Sequence, residues 1–121
     1  MTLEKKLQKI LFLINQEKYK ELIPKIHELL KEKYQSIPLY GNLGLSYLKL
    51  NKNYLAIKYF LKVRKIDKNN INANHNLGLA YSKINEIDKA INFYDQALEA
   101  IEEYTFFFIT LKEYLELLLS N

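Results

Sequence analysis

The sequence has no cysteine and no tryptophan, and only 3 glycines, 2 prolines, 2 histidines, 3 aspartates and a single arginine. Without cysteine there is no disulfide frame, no thiol nucleophile and no cysteine-based zinc site. So few glycines and prolines argue against a turn-rich all-β fold or a flexible linker. Two histidines and three aspartates leave little material for acid–base or metal chemistry. His27 and His75 stand far apart, with no second ligand at metal spacing. No glycine-rich phosphate loop and no nucleophile elbow is present. A long apolar run is also missing. The densest stretch, Phe106 to Leu119, is interrupted by Lys112, Glu113 and Glu116 and falls short of the ~20 residues a bilayer span needs. Ile10 to Ile14 follows three lysines but is too short for a signal-peptide core. These absences lead to the expectation of a cytoplasmic, non-enzymatic protein without a cofactor or metal. What remains is 121 residues, 49% hydrophobic and 26% charged, which suits one folded domain.

The net charge of +4 conceals a split. Residues 1–68 hold 15 Lys+Arg against 6 Asp+Glu, a balance of +9, while residues 69–121 hold 3 against 8, a balance of −5. A chain polarised in this way can meet partners of opposite sign, or a second copy of itself.

An internal repeat is the strongest positive signal. Asn42-Leu43-Gly44-Leu45-Ser46-Tyr47 returns 34 residues later as Asn76-Leu77-Gly78-Leu79-Ala80-Tyr81. Ile37, Lys49, Asn51, Ala56 and Ile57 also match Ile71, Lys83, Asn85, Ala90 and Ile91, which gives 10 identities over the 34 positions; chance supplies roughly three. Within a unit the apolar residues follow helical spacing: Tyr40, Leu43, Tyr47 and Leu50 in the first segment, Tyr59, Phe60, Val63 and Ile66 in the second. Asn51-Lys52-Asn53 forms the polar turn between them. Ser36 and Asn70 stand at N-cap positions, and Pro38 lies just inside the helix start. Each unit therefore reads as helix, turn, helix.

Tyr40, Leu43, Gly44, Tyr47, Ala56, Phe60 and Val63, then Leu77, Gly78, Tyr81, Ala90, Tyr94 and Ala97, give the pattern of the tetratricopeptide repeat family, which the chain resembles. Gly44, Gly78, Ala56 and Ala90 would let paired helices approach closely, with aromatic rings filling the space between them. The proline that often follows the second helix is replaced by Lys68 and Glu102. Residues 3–36 fit the same frame in degenerate form, with Leu13, Leu22, Ile26 and Leu29 in the packing slots and Ile10 in place of the glycine. Pro24 should kink the second helix of that unit or force it to start near Leu22. The resemblance implies an all-α, right-handed α-solenoid with repeats at 3–36, 37–70 and 71–104, followed by a hydrophobic terminal helix within 105–121.

That terminal segment is unusual. Its apolar residues surround the helix almost completely, where a terminal cap should be polar outside. The expected arrangement is a break near Tyr104-Thr105 with Thr105 as N-cap. The alternative is one continuous helix from about Ile87 to Leu119, because no glycine or proline intervenes and Ile101, Tyr104, Phe108, Leu111, Leu115 and Leu118 keep heptad-like spacing.

The family resemblance implies a concave groove lined by the first helix of each pair. Its candidate residues are Gln8, Leu11 and Asn15, then Asn42, Leu45 and Lys49, then Asn76, Leu79 and Lys83, with His75 at the edge. The asparagine amides could pair with a peptide backbone, the leucines give apolar contact and the lysines attract an acidic group. The alternative is that an asparagine before Leu-Gly caps or braces the neighbouring helix. Leu7, Asn72 and Asn76 depart from the cationic clamp that holds chaperone tails in part of the family. The implied function is that of a non-catalytic adaptor or scaffold for a protein, peptide or partner helix. A homo-oligomer using Phe107, Phe108, Leu111, Leu115 and Leu118 is an alternative, as is a small secretion-type chaperone. Single-stranded nucleic acid is the outside reading. It is opposed by the helix-packing spacing of the aromatics and by 17 lysines to one arginine.

Overall fold

A computed structural model describes residues 1–120 and contains, among them, six helices and no strand. They are α1 (Leu3–Asn15), α2 (Tyr19–Lys31), α3 (Ile37–Lys49), α4 (Asn53–Ile66), α5 (Ile71–Lys83) and α6 (Ile87–Leu119). Consecutive helices pack as three hairpins, and α4 joins the second hairpin to the third through α5. The architecture is the all-α solenoid expected from the 34-residue repeat.

Local chemistry sets the helix ends. Thr2, Ser36 and Asn70 open the first helix of each hairpin, their side chains accepting from the backbone N–H of Lys5, Leu39 and Ala73. The turns inside the hairpins share one solution. Glu17, Asn51 and Asn85 adopt φ of 53°, 60° and 63°. In each case the next residue's N–H bonds back across the turn: Lys18 to Leu13 O at 3.0 Å, Lys52 to Tyr47 O at 2.8 Å and Glu86 to Tyr81 O at 2.9 Å. This is a Schellman closure, which satisfies carbonyls that the helix end would leave open. Lys33, after α2, repeats it with φ of 67°.

The core consists of the packing positions read from the repeat. Leu13, Leu22, Ile26, Leu29, Leu43, Ala56, Phe60, Val63 and Leu77 are all almost completely buried, each large aliphatic or aromatic side chain contributing about 1.5–3 kcal/mol. The glycines in the repeat are needed for close approach. A Cβ on Gly44 would lie 2.9 Å from the Phe60 ring, and one on Gly78 would lie 2.6 Å from the Tyr94 ring. Ile10 occupies the equivalent slot in the first hairpin and is itself buried.

Two expectations about boundaries are corrected. Of the two outcomes expected of Pro24, a start near Leu22 does not occur: α2 starts at Tyr19 and carries Pro24 inside it. Pro24 cannot donate to the carbonyl of Lys20, but both residues are exposed, so water can take the freed acceptor. The second correction is larger. No break occurs at Tyr104-Thr105: α6 runs unbroken for 33 residues. Thr105 does not cap a new helix. Its hydroxyl donates to the carbonyl of Ile101 at 3.0 Å, a bond made inside a continuing helix. The sequence from Ile87 to Leu119 offers no glycine, proline or asparagine near 104 to stop it. Asn121, the last residue of the expected terminal segment, lies outside the described residues.

Candidate functional site: the concave groove

α3 and α5 lie side by side and leave between them a cavity of about 370 Å³. It is lined by Ile37, Pro38, Gly41, Asn42 and Leu45 from α3, by Asn70, Asn72, Ala73 and Asn76 from the start of α5, and by Phe60 and Val63 at its floor. Four side-chain amides thus share one depression with apolar groups. Two of them are partly committed to the fold. Asn42 Nδ2 donates to the Pro38 carbonyl at 2.9 Å, so this residue braces its own helix while facing the cavity. Asn70 Oδ1 accepts from the N–H of Ala73 as the cap of α5. Asn72 is exposed and Asn76 half-buried, and each amide carries both donor and acceptor capacity at the cavity wall.

A second cavity of about 360 Å³ lies between α1 and the start of α3. Leu3, Leu7, Leu29, Tyr34, Pro38 and Leu39 make its lining predominantly apolar, with Gln35 and Ser36 at the rim. The two cavities occupy equivalent places in successive units, since Leu3 and Leu7 precede Ile37 and Gly41 by one repeat.

Of the residues expected in the groove, the structure brings Asn42, Leu45 and Asn76 together in the amide-lined cavity. Gln8, Leu11 and Asn15 are exposed on α1, outside both cavities. Leu79 is half-buried and packs against the core. Lys49 and Lys83 are exposed in the last turns of α3 and α5, where a cation complements the helix dipole. His75 is exposed beside the Tyr94 ring, with centroids 5.6 Å apart. Sequence reasoning missed Leu3, Leu7, Tyr34, Ile37, Pro38, Gly41 and Asn72. The signal that could have found most of them is the 34-residue offset, because Leu3, Ile37 and Ile71 share one repeat position and Pro38 shares another with Asn72.

His27 belongs to a separate cluster. Its Nε2 lies 2.9 Å from the Tyr47 hydroxyl, and the Tyr59 ring meets it edge-on at 5.8 Å. Burial lowers its pKa, and the nearby charges of Lys31 and Lys58 lower it further. A neutral ring with Nε2 unprotonated accepts a hydrogen bond from the Tyr47 hydroxyl, which makes this a packing contact between hairpins.

The tetratricopeptide repeat family model matches residues 35–103, more than half of the chain. The chain is a tetratricopeptide repeat protein. Solved structures of the same fold include MamA from MSR-1, at 16% identity and a TM-score of 0.78, covering 85% of this chain and 59% of that one. Another crystal structure of MamA shows 24% identity and a TM-score of 0.70, over 77% of this chain and 54% of that one. The second tetratricopeptide domain of Spaghetti (RPAP3), bound to the HSP90 peptide SRMEEVD, superposes at a TM-score of 0.73 with 18% identity, over 79% of this chain and 84% of that one. The repeat protein described here therefore spans little more than half the length of MamA. No curated protein sequence matches it significantly. Among its described residues, no helix is long and apolar enough to cross a membrane.

Proposed function

We propose that this protein is a non-catalytic interaction module of the cytoplasm, an adaptor that holds an extended peptide or partner helix in its concave groove. The observation that carries this reading is the cavity between α3 and α5, where Asn42, Asn72 and Asn76 surround Leu45 and a floor of Phe60 and Val63. Amides beside apolar walls suit a peptide, whose backbone alternates donor and acceptor while its side chains need apolar cover. The neighbouring cavity, walled by Leu3, Leu7 and Tyr34, gives a second apolar side chain of the same ligand a place to sit. The fold is one that holds a peptide in the Spaghetti (RPAP3) complex, which supports the class of partner but not its sequence.

The test is a peptide-display selection against the wild-type chain, followed by affinity measurement on the double variant Asn72→Ala/Asn76→Ala. Both positions are off the sealed core, so helical content should be unchanged by circular dichroism. The variant should bind the selected peptides about tenfold more weakly, as expected for losing hydrogen-bonding side chains at an interface. Unchanged affinity would reject this cavity as the site.

A further inference from the structure

Beyond Ala100, α6 leaves the solenoid. Ala90, Phe93, Ala97 and Ala100 are its last buried residues. Every residue from Ile101 to Ser120 is exposed. The free part is not a polar tail. The apolar face that packs α6 onto the solenoid continues at the same three- and four-residue spacing through Tyr104, Phe108, Leu111, Leu115 and Leu118, with Phe107 beside it. The face keeps its register past Ala100, while its side chains change from mostly alanine to aromatic and leucine; the helices beneath it end there. Tyr104, Phe107, Phe108, Leu111, Leu115 and Leu118 are between 40% and 61% exposed.

We infer that this face pairs with the same face of a second copy, the two α6 helices running antiparallel about a two-fold axis at Leu111. Heptad-like spacing makes a helix the occupant that fits. An antiparallel pair centred on Leu111 is self-complementary. Tyr104 of one copy meets Leu118 of the other, and Phe107 and Phe108 meet Leu115 and Tyr114, so each ring lies opposite a residue able to fill the space beside it. The overlap runs from Tyr104 to Leu118, so it ends where each solenoid begins and the two bodies stand at opposite ends. Charge selects the direction. A parallel pair would hold Glu102-Glu103 of both copies at the same level on its outer flanks, whereas the antiparallel pair separates them by about 25 Å along the axis, at 1.5 Å per residue, well past the screening length. The area is also sufficient. The six side chains offer roughly 600 Å², and their flanks bring this close to the ~800 Å² per partner of a standard stable interface. A lipid surface is the poorer occupant: from Ile101 to Leu119 the helix carries one lysine and four glutamates, and anionic membranes attract the opposite balance.

The absence of native cysteine permits a direct test on the full chain. By light scattering, the wild type should have about twice the 14.4 kDa mass of one chain. Leu111→Cys should form a disulfide-linked dimer under mild oxidation. Tyr104→Cys alone should not cross-link, but mixed with Leu118→Cys it should yield the hetero-linked dimer. Leu115→Asp should give a monomer of unchanged helix content, with association weakened by roughly a hundredfold or more. Should Leu115→Asp unfold, the cysteine pairs still decide the matter. A wild-type chain that is monomeric at high micromolar concentration, self-linking of Tyr104→Cys, or a monomer that floats with phosphatidylcholine vesicles would each overturn the inference.

Discussion

Gly41 and Gly78 sit in equivalent first helices of successive hairpins, yet a methyl group should affect them in opposite ways. Nothing lies within 4 Å of a Cβ built on Gly41, whereas on Gly78 it would be driven into the Tyr94 ring at 2.6 Å, including the ring atom nearest the backbone. Gly41→Ala should therefore stabilise the protein by about 0.5–1 kcal/mol through reduced chain entropy. Gly78→Ala should lose that gain and more, for a net cost on the order of 1–2 kcal/mol. Chemical denaturation of both variants checks the pair, and equal shifts would mean the packing register is wrong. His27 gives a pH test. Its pKa is lowered in the fold by burial and then by Lys31 and Lys58, so the unfolded chain binds the proton more readily. Its contribution to stability is complete above the unfolded value of about 6.5 and is lost as pH falls through the lower folded value. The melting temperature should drop over that window, and His27→Gln should flatten the drop. Parallel profiles would exclude His27 as the source. The packing positions of the repeat were legible in the sequence, as the buried Leu43, Phe60 and Leu77 attest. The His27–Tyr47 contact was not, because it joins residues 20 positions apart in different hairpins.

At the scale of the element, the helix ends follow local chemistry closely, and that is why most of them could be read. Ser36 and Asn70 cap where the sequence places them, and Asn51 takes the left-handed turn conformation. Glu17 and Lys33 occupy the same conformation without the tolerance of asparagine or glycine. Replacing either by glycine should add roughly 0.5–1 kcal/mol of stability, readable as a raised denaturation midpoint; a lowered midpoint would show that their side chains contribute more than their backbone strain costs. α6 is where local reading failed. Thr105 is as plausible a cap in sequence as Ser36, but Ser36 follows residues that end a helix, Lys33 among them, whereas Thr105 follows an uninterrupted helical run. Whether a threonine starts a helix depends on whether the chain has already stopped the previous one, and that information lies in the residues that could terminate, not in the cap.

For the whole molecule, the fold reduces to one unit repeated with variation, and its function to what the repetition leaves open. The repeat dictated the solenoid, but the groove residues were legible only in part. Asn42, Leu45 and Asn76 line the cavity, while the lysines expected with them stand at helix ends. The reason is geometric: the cavity lining runs from Ile37 to Leu45 on α3 and from Asn70 to Asn76 beside α5, and stops short of the last turns that carry Lys49 and Lys83. The charge split then lies along the repeats, with the basic units carrying the apolar cavity and the acidic end carrying the extended α6. The groove and the α6 face share no residue, so a dimer would leave both grooves open and double the valency for a ligand displayed in several copies.

The most direct test of the interaction-module reading is a nuclear magnetic resonance titration of the full chain with a selected peptide. Binding in the groove predicts shifts concentrated at Asn42, Leu45, Asn72 and Asn76, with smaller ones at Leu3 and Leu7. Shifts confined to residues 104–119 of α6, with the groove unmoved, would contradict it.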